Sequence, residues 1–286
     1  MKFFILIGLY FISSSLILAQ NISEKTFNNI NAIKVTGKFM SVVVIGENRE
    51  NVDVRTEMSD RAAEYFEINF SESGQNLEIE VVDKKKRFNW GDIKGEIFIK
   101  IPKSVILNIR NSSGKVDVKN IDSESVNLLA SSGSVYANNL IAQTINLKTS
   151  SGSIHINELK GQVIDMESSS GSQSLKNIEA NLKSVSSSGS ISIIKFKGEI
   201  ELRSSSGRLS GENVTLISSG KFKSSSGSIK IALENNPNDL SFNCSSSSGG
   251  IRIGNEKGSK KFILNEGDIR IEAISSSGSQ NFSFVQ

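Results

Sequence analysis

The sequence predicts an all-β protein, most of which is a parallel β-helix (β-solenoid), and three observations carry this prediction. The first is a repeat: Ser-Ser-Gly occurs ten times after residue 110, and apart from the out-of-phase copy at residues 218–220 its glycines are separated by 19, 19, 19, 18, 18, 20, 22 and 29 residues. A near-constant period is the signature of stacked structural units. The glycines are Gly114, Gly133, Gly152, Gly171, Gly189, Gly207, Gly227, Gly249 and Gly278.

Composition and patterning are the other two observations. Of 286 residues 51 are serine, and 43 of these follow residue 103, whereas only two residues are proline. Interior strands must donate every backbone N–H, which proline cannot do. The second and fourth residues after most glycines are apolar and the third is polar in nearly every repeat, for example Val135, Tyr136 and Ala137. This alternation predicts a strand with one buried face.

The first segment, residues 1–19, has the features of a secretory signal peptide. A single lysine precedes an uncharged apolar stretch that ends at Ala19, and we expect cleavage after that residue. Retention as a membrane anchor is the alternative, and no other stretch is long enough to span a bilayer. The protein is therefore expected to be exported to the periplasm, the cell surface or the medium.

Residues 20–103 are predicted to form a β-rich cap on the N-terminal end of the solenoid. Strands are expected at residues 33–35, 41–45, 52–54, 66–70, 77–82 and 97–101, with one helical turn at residues 60–65. Such a cap would cover the strand edges that an open rung exposes. Pro102 follows the last of these strands and is the predicted boundary.

Residues 104–286 are predicted to form the solenoid itself, with about 18–20 residues per rung. Glycine at each Ser-Ser-Gly corner is expected to supply a positive φ, with the serine hydroxyls bonding the turn backbone. A second turn is expected near the ninth residue, where small residues such as Ala142 and Gly161 recur. Residues 281–285 would form the last rung, where a strand edge could stay open.

The repeat units also carry a resemblance to a known family. Residues 150–156, 187–193 and 225–231 have the form Ser-Ser-Gly-Ser-Ile-x-Ile, and they follow a hydrophobic strand that ends at Pro102. In this the chain resembles the bacterial putative-adhesin family of unknown function, a β-strand-repeat group akin to the head-GIN-domain putative autotransporter adhesins. The resemblance implies a right-handed parallel β-helix exported to the cell envelope, and it supplies no catalytic residues.

Few side chains are candidates for catalysis or metal binding. Asp165 and Glu167 share the outward side of one strand, but the register places lysines beside them, which favours ion pairs over a catalytic dyad. His155 is the only histidine, so a site with two histidine ligands is excluded. Cys244 is the only cysteine; it cannot form an intramolecular disulfide and falls in an apolar column, which favours burial. We predict no catalytic, metal or cofactor site.

A basic run beside the only tryptophan is the one candidate for surface binding. It consists of Lys84, Lys85, Lys86 and Arg87, with Trp90 close behind. These residues could hold an anionic glycan or headgroup, and the alternative is a solvated hairpin loop.

The sequence as a whole favours a non-enzymatic, exported binding, adhesion or scaffold module of the cell envelope. Its partner would be a glycan, a matrix component or an envelope protein. The net charge of +3 argues against nucleic acid as a partner. Two alternatives stay open: a polysaccharide-acting β-helix enzyme, which rests on fold analogy alone, and a periplasmic accessory protein of envelope stress.

Overall fold

The computed structural model describes residues 21–85 and 93–285, and most of them lie in β-strands. The signal-peptide prediction for residues 1–19 lies outside the described residues. The N-terminal part contains β1 (Asn21–Asn28), β2 (Ala32–Thr36), β3 (Ser41–Glu47), β4 (Asn51–Met58), α1 (Asp60–Tyr65), β5 (Phe66–Ser73), β6 (Asn76–Asp83) and β7 (Gly95–Pro102). The predicted strands and the helical turn of this part are confirmed, whereas β1 was not predicted.

The remaining strands follow in two groups. The repeats form β8 (Ile106–Asn111), β9 (Val116–Ala130), β10 (Val135–Thr149), β11 (Ile154–Ser168), β12 (Gln173–Ser186), β13 (Ile191–Ser204) and β14 (Leu209–Ser224). The C-terminal part contains β15 (Ile229–Leu233), a 3-10 turn at Pro237–Asp239, β16 (Leu240–Ile253), β17 (Glu256–Leu264), β18 (Ile269–Ser275) and β19 (Gln280–Phe284).

Each strand from β9 to β13 makes up most of one coil of a parallel solenoid. Val135 at the start of β10 pairs with Val116 of β9 on one side and with Ile154 of β11 on the other, both in parallel register. Strands paired in this way lie about 4.8 Å apart, so each repeat is one layer. The predicted fold class is therefore confirmed.

Two bends divide each of these long strands into three straight segments. In β10 the pairing with both neighbouring layers skips Asn139 and Gln143. The second bend lies one residue after Ala142, where the column of small residues predicted a turn. The first bend was not predicted: Asn139 has a left-handed φ of 54°, and its equivalents in the other layers share this conformation. They are Asn120, Glu158, Asn177, Lys195 and Asn213.

The corner glycines serve a purpose different from the one expected. None of the nine has a positive φ, so that expectation is wrong. A Cβ at Gly152 would instead lie 1.9 Å from the carbonyl oxygen of Gly133 in the preceding layer, and a Cβ at Gly171 would lie 1.8 Å from that of Gly152. Glycine is required because successive corners stack backbone on backbone.

The residue just before each Ser-Ser-Gly corner is buried, and in several layers its hydroxyl closes the turn. Ser168 donates its hydroxyl hydrogen to the carbonyl oxygen of Gly171 at 2.7 Å, as Thr149 does to Gly152 and Ser275 to Gly278. The two serines that follow are exposed in each corner. Local hydrogen bonding by serine, predicted from the repeat, is therefore confirmed for the buried position.

The interior of the coil is a continuous column of aliphatic side chains. The inward positions of successive layers, such as Val135, Ile154 and Ile191, are almost fully buried. Gln173 interrupts this column and is also buried, but its amide donates to the Val185 carbonyl at 2.7 Å and accepts from the Ser184 hydroxyl at 2.6 Å. The buried amide of Gln173 thus has hydrogen-bond partners within the protein.

At the N-terminal end the stack continues beyond Pro102 into the earlier strands. β2 pairs in parallel with β8 on one side and with β6 on the other. Likewise β3 pairs with β9 and β7. The layer formed by β2 and β3 therefore lies between two layers that come later in the chain, while β1, β4 and β5 add antiparallel strands at the outer end.

The C-terminal end has the same interleaved arrangement. β18 lies between β14 and β16, and β19 lies between β15 and β16. The expectation of an open edge at residues 281–285 is therefore wrong for residues 281 and 282, which pair on both sides, whereas residues 283 and 284 pair with β15 alone. The outermost strand is β17, which pairs in antiparallel fashion with β16.

Candidate functional site

Two residues of the predicted basic run are described, and both contact helix α1. Lys84 Nζ donates to the carbonyl oxygen of Ala63 at 2.7 Å. Lys85 Nζ lies 2.7 Å from Glu64 Oε1, a contact that lowers the pKa of Glu64, and 5.0 Å from the centre of the Tyr65 ring.

The other members of the run, Lys86, Arg87 and Trp90, lie outside the described residues. Binding of an anion by the whole run therefore stays a prediction.

The paired carboxylates form part of a charged outer face. Glu167 is exposed and lies 3.2 Å from Lys148 of the preceding layer. Asp165 is aligned with Asn146 on one side and Lys183 on the other. This is the arrangement predicted for cross-strand ion pairs. Within residues 21–85 and 93–285, no cluster of three or more potential metal ligands occurs.

Cys244 is fully buried in the interior of the solenoid. Burial raises the pKa of its thiol from an ordinary 9.0 to about 12. The predicted burial is confirmed, and a thiol held in its neutral form is a poor nucleophile.

A stacked pair of rings occupies the outward column at the third residue after each corner glycine. Tyr136 and His155 belong to successive layers, and their ring centres are 4.8 Å apart with an angle of 15° between the planes. The Lys115 ammonium lies 4.7 Å from the centre of the Tyr136 ring. Because Lys115 belongs to the preceding layer and His155 to the following one, they cover opposite faces of the tyrosine. We call Tyr136 and His155 the ring ladder.

The ring ladder ends at His155, because the next residue in this column is Ser174. The following two positions are Ser192 and Ser210. The imidazole therefore has one face against Tyr136 and no ring on the other. Stacking of aromatic rings at 4.5–7 Å contributes about 0.5–1.5 kcal/mol, and we call the face of His155 that bears no ring its open face.

The ring ladder lines an open surface groove of about 420 Å³. Its wall includes both rings, a polar column two residues further along each layer, and the buried apolar column between them. The lining residues are Asp117, Lys119, Tyr136, Ala137, Asn138, His155, Ile156, Asn157, Ser174 and Lys176. The groove is therefore open and shallow, and both apolar and polar groups line it.

The charge around this groove is positive. Asp117 is almost buried and accepts from Lys115 at 2.7 Å, with the Lys119 ammonium 3.6 Å away. A single carboxylate thus faces two lysines. Lys176 is exposed and forms no ion pair with another described residue. The groove consequently favours an anionic partner.

Tyr136 and His155 could have been found from the sequence. They lie 19 residues apart, which is one repeat, and so they share a column. From the sequence, His155 was considered only as a metal ligand, and no site was predicted around it. The sequence signal for a site would have been two adjacent ring-bearing residues followed by three serines in the same column.

Together the fold and this groove define a class: a parallel β-solenoid with a shallow groove on one outer face. A family model described as Toastrack DUF4097 matches residues 30–281, and the chain belongs to this family. The resemblance to bacterial putative adhesins that the repeat units indicated is confirmed.

Solved structures of proteins from bacteria are similar to this chain. A putative adhesin from Bacteroides fragilis is 13% identical over 93% of this chain and 98% of its own, with a TM-score of 0.45. A putative lipid binding protein from Parabacteroides distasonis is 15% identical over 93% and 97%, with a TM-score of 0.47. These weak likenesses transfer no ligand to this chain.

None of the curated proteins matches the sequence. Among the described residues, no helix has the length and apolar character that crossing a membrane requires.

Proposed function

We propose that this chain is a non-enzymatic, exported binding module of the cell envelope that holds a glycan in the groove beside the ring ladder. The single observation that supports the proposal most is the open face of His155 within a groove of about 420 Å³. Glycan-binding surfaces need a ring face for stacking and polar groups for the sugar hydroxyls, and this groove has both.

The side chains capable of chemistry have structural contacts instead. The only imidazole is stacked on Tyr136, the thiol of Cys244 has a raised pKa, and Glu167 is paired with Lys148. These contacts support binding without turnover. Incubation of the purified protein with bacterial and host polysaccharides should release no new reducing ends, and a catalytic release that increases with time would contradict this part of the proposal.

A glycan array with a double variant tests the binding. Changing Tyr136→Ser and His155→Ser gives these two layers the residue that the column has in the next layers. We expect the native protein to bind a subset of glycans saturably and the double variant to lose that binding. Ile141→Ser is the matched control, because Ile141 is exposed but lies outside this groove. A double variant that binds as the native protein does would contradict the proposal.

Location in the envelope needs a separate test. We expect the protein to be exported, and protease treatment of intact cells distinguishes the alternatives. Degradation would support a surface adhesin. Protection until the outer barrier is opened would support a periplasmic binding or scaffold role, and a cytosolic protein would contradict export altogether.

A further inference from the structure

We infer that the open face of His155 is a subsite for an acidic sugar ring, of the uronate type, whose carboxylate pairs with Lys176. This inference rests on the proposed function and specifies the ligand class of the same groove. It begins with the spacing of the layers, which the ring ladder reproduces.

The spacing places a third ring in one defined position. The ring centres of Tyr136 and His155 are 4.8 Å apart, which is also the distance between paired strands. A ring stacked on the open face of His155 would therefore lie in the layer of Ser174, the next residue of the column. Ser174 is exposed and small, so its layer has room outside the backbone for a ring that the chain itself does not supply.

The lysines that line the groove favour an acidic ring as the one that stacks on His155. Lys176 lines the same groove two residues beyond Ser174 and has no described ion-pair partner. Lys119, on the opposite side of His155, also lines it, and its nearest carboxylate, Asp117, is already 2.7 Å from Lys115. A carboxylate brought into the layer of Ser174 would lie in the same layer as the unpaired Lys176 ammonium and would be attracted to it. A neutral sugar would gain the stacking contact alone.

The fold provides one internal reporter for the test. His155 is the only histidine in the sequence, so the imidazole signals of ¹⁵N-histidine-labelled protein arise from this residue alone. The probes are galacturonate oligomers and galactose oligomers of the same length, which differ in the carboxylate. We expect the acidic oligomer to shift the His155 signals saturably and to bind about tenfold more tightly, as one charge-assisted contact allows.

Two matched variants separate the subsite from the rest of the surface. Ser174→Phe places a phenyl ring in the position that the sugar would occupy, so we expect at least about tenfold weaker binding of the acidic oligomer. Ser210→Phe makes the same change in the same column two layers further on, and binding should be unchanged. Lys176→Gln should reduce the affinity for the acidic oligomer to that for the neutral one.

The outcomes distinguish this inference from the proposed function. Shifted His155 signals, lost in Ser174→Phe and retained in Ser210→Phe, would support it. If array binding depends on the ring ladder but Ser174→Phe binds as tightly as the native protein, the subsite is wrong and the proposed function stands. Equal affinity for acidic and neutral oligomers would overturn the assignment to an acidic sugar. A protein that binds no glycan on the array would overturn both.

Discussion

The stacking of corner glycines predicts a large loss of stability for Gly152→Ala. The new Cβ would lie 1.9 Å from the carbonyl oxygen of Gly133, where real contacts are essentially never shorter than 3.0 Å. The two layers would therefore have to separate locally by at least about 1.1 Å. The neighbouring backbone bonds, from Ser150 and Ser151 N–H to the Ser131 carbonyl at 3.1 and 2.9 Å, would then lengthen to about 4 Å, beyond hydrogen-bonding distance.

The size of this loss can be worked from its parts. Two ladder hydrogen bonds contribute about 1 kcal/mol each, and overpacking of a tight site costs about 1–3 kcal/mol. We therefore expect the free energy of unfolding to fall by about 3–5 kcal/mol. The measurement is equilibrium unfolding in urea, followed by circular dichroism, with the slope of the transition compared between variants.

Gly250→Ala is the control for this experiment. Gly250 also lies in a strand near a Ser-Ser-Gly corner, but a Cβ there meets nothing within 4 Å. Its substitution should change the free energy of unfolding by less than about 1 kcal/mol, with a small gain from the less flexible unfolded chain. A loss below about 1 kcal/mol in Gly152→Ala would refute the view that close approach between layers, instead of turn conformation, requires glycine.

Three further predictions concern the corner, the first bend and the interior. Ala130 occupies the corner position where Thr149 has its bonding hydroxyl, so Ala130→Ser should raise the free energy of unfolding by about 0.5–1.5 kcal/mol in urea titrations; a loss would contradict the corner bond. Asn139→Val should lower the free energy of unfolding by about 1–2 kcal/mol because φ is left-handed there. Asn139→Gly should lower it less, and equal losses would exclude backbone strain as the cause. Because burial raises the pKa of Cys244 to about 12, its contribution to stability is fully present below pH 9 and is lost as pH rises towards 12. Cys244→Ala should remove that part of the alkaline decline in urea titrations at several pH values, and an unchanged decline would contradict the assignment.

The repeating part of the fold could be predicted because the same sequence pattern recurs in each layer. Nine glycines at a near-constant interval fix the register, and alternation within each repeat separates buried Val135 from exposed Tyr136. The first bend was also readable in principle, since Asn120, Asn139, Asn177 and Asn213 share one column and asparagine adopts the left-handed conformation more readily than most residues.

The order of the layers at the two ends could not be predicted. Gly249 precedes Gly278 in sequence, yet a Cβ at Gly278 would meet the carbonyl oxygen of Gly227, and one at Gly249 would meet that of Gly278. The spatial order of the last two corners is therefore reversed. Spacing alone cannot reveal this, because an insertion within a rung and an exchange of rungs lengthen the interval between glycines equally.

Prediction of the candidate site would have required the positions of the side chains as well as the register of the strands. The register brings Tyr136 beside His155, but the stacking of their rings, the cover that Lys115 provides and the open face beside Ser174 depend on side-chain geometry. The basic run was the predicted surface-binding site because its charges are adjacent in sequence. Of its described members, Lys84 and Lys85 contact helix α1 instead.

The interleaved ends have a mechanical consequence. In a simple stack, a pull on the terminal strand peels the last layer away, one hydrogen bond after another. Here β19 has β15 on one side and β16 on the other, and β2 is flanked by β6 and β8 in the same way. Tension applied along β19 must shear two parallel ladders at once, so the load is shared among many hydrogen bonds. The paired ends should therefore resist an applied force better than a terminal strand that pairs on one side only.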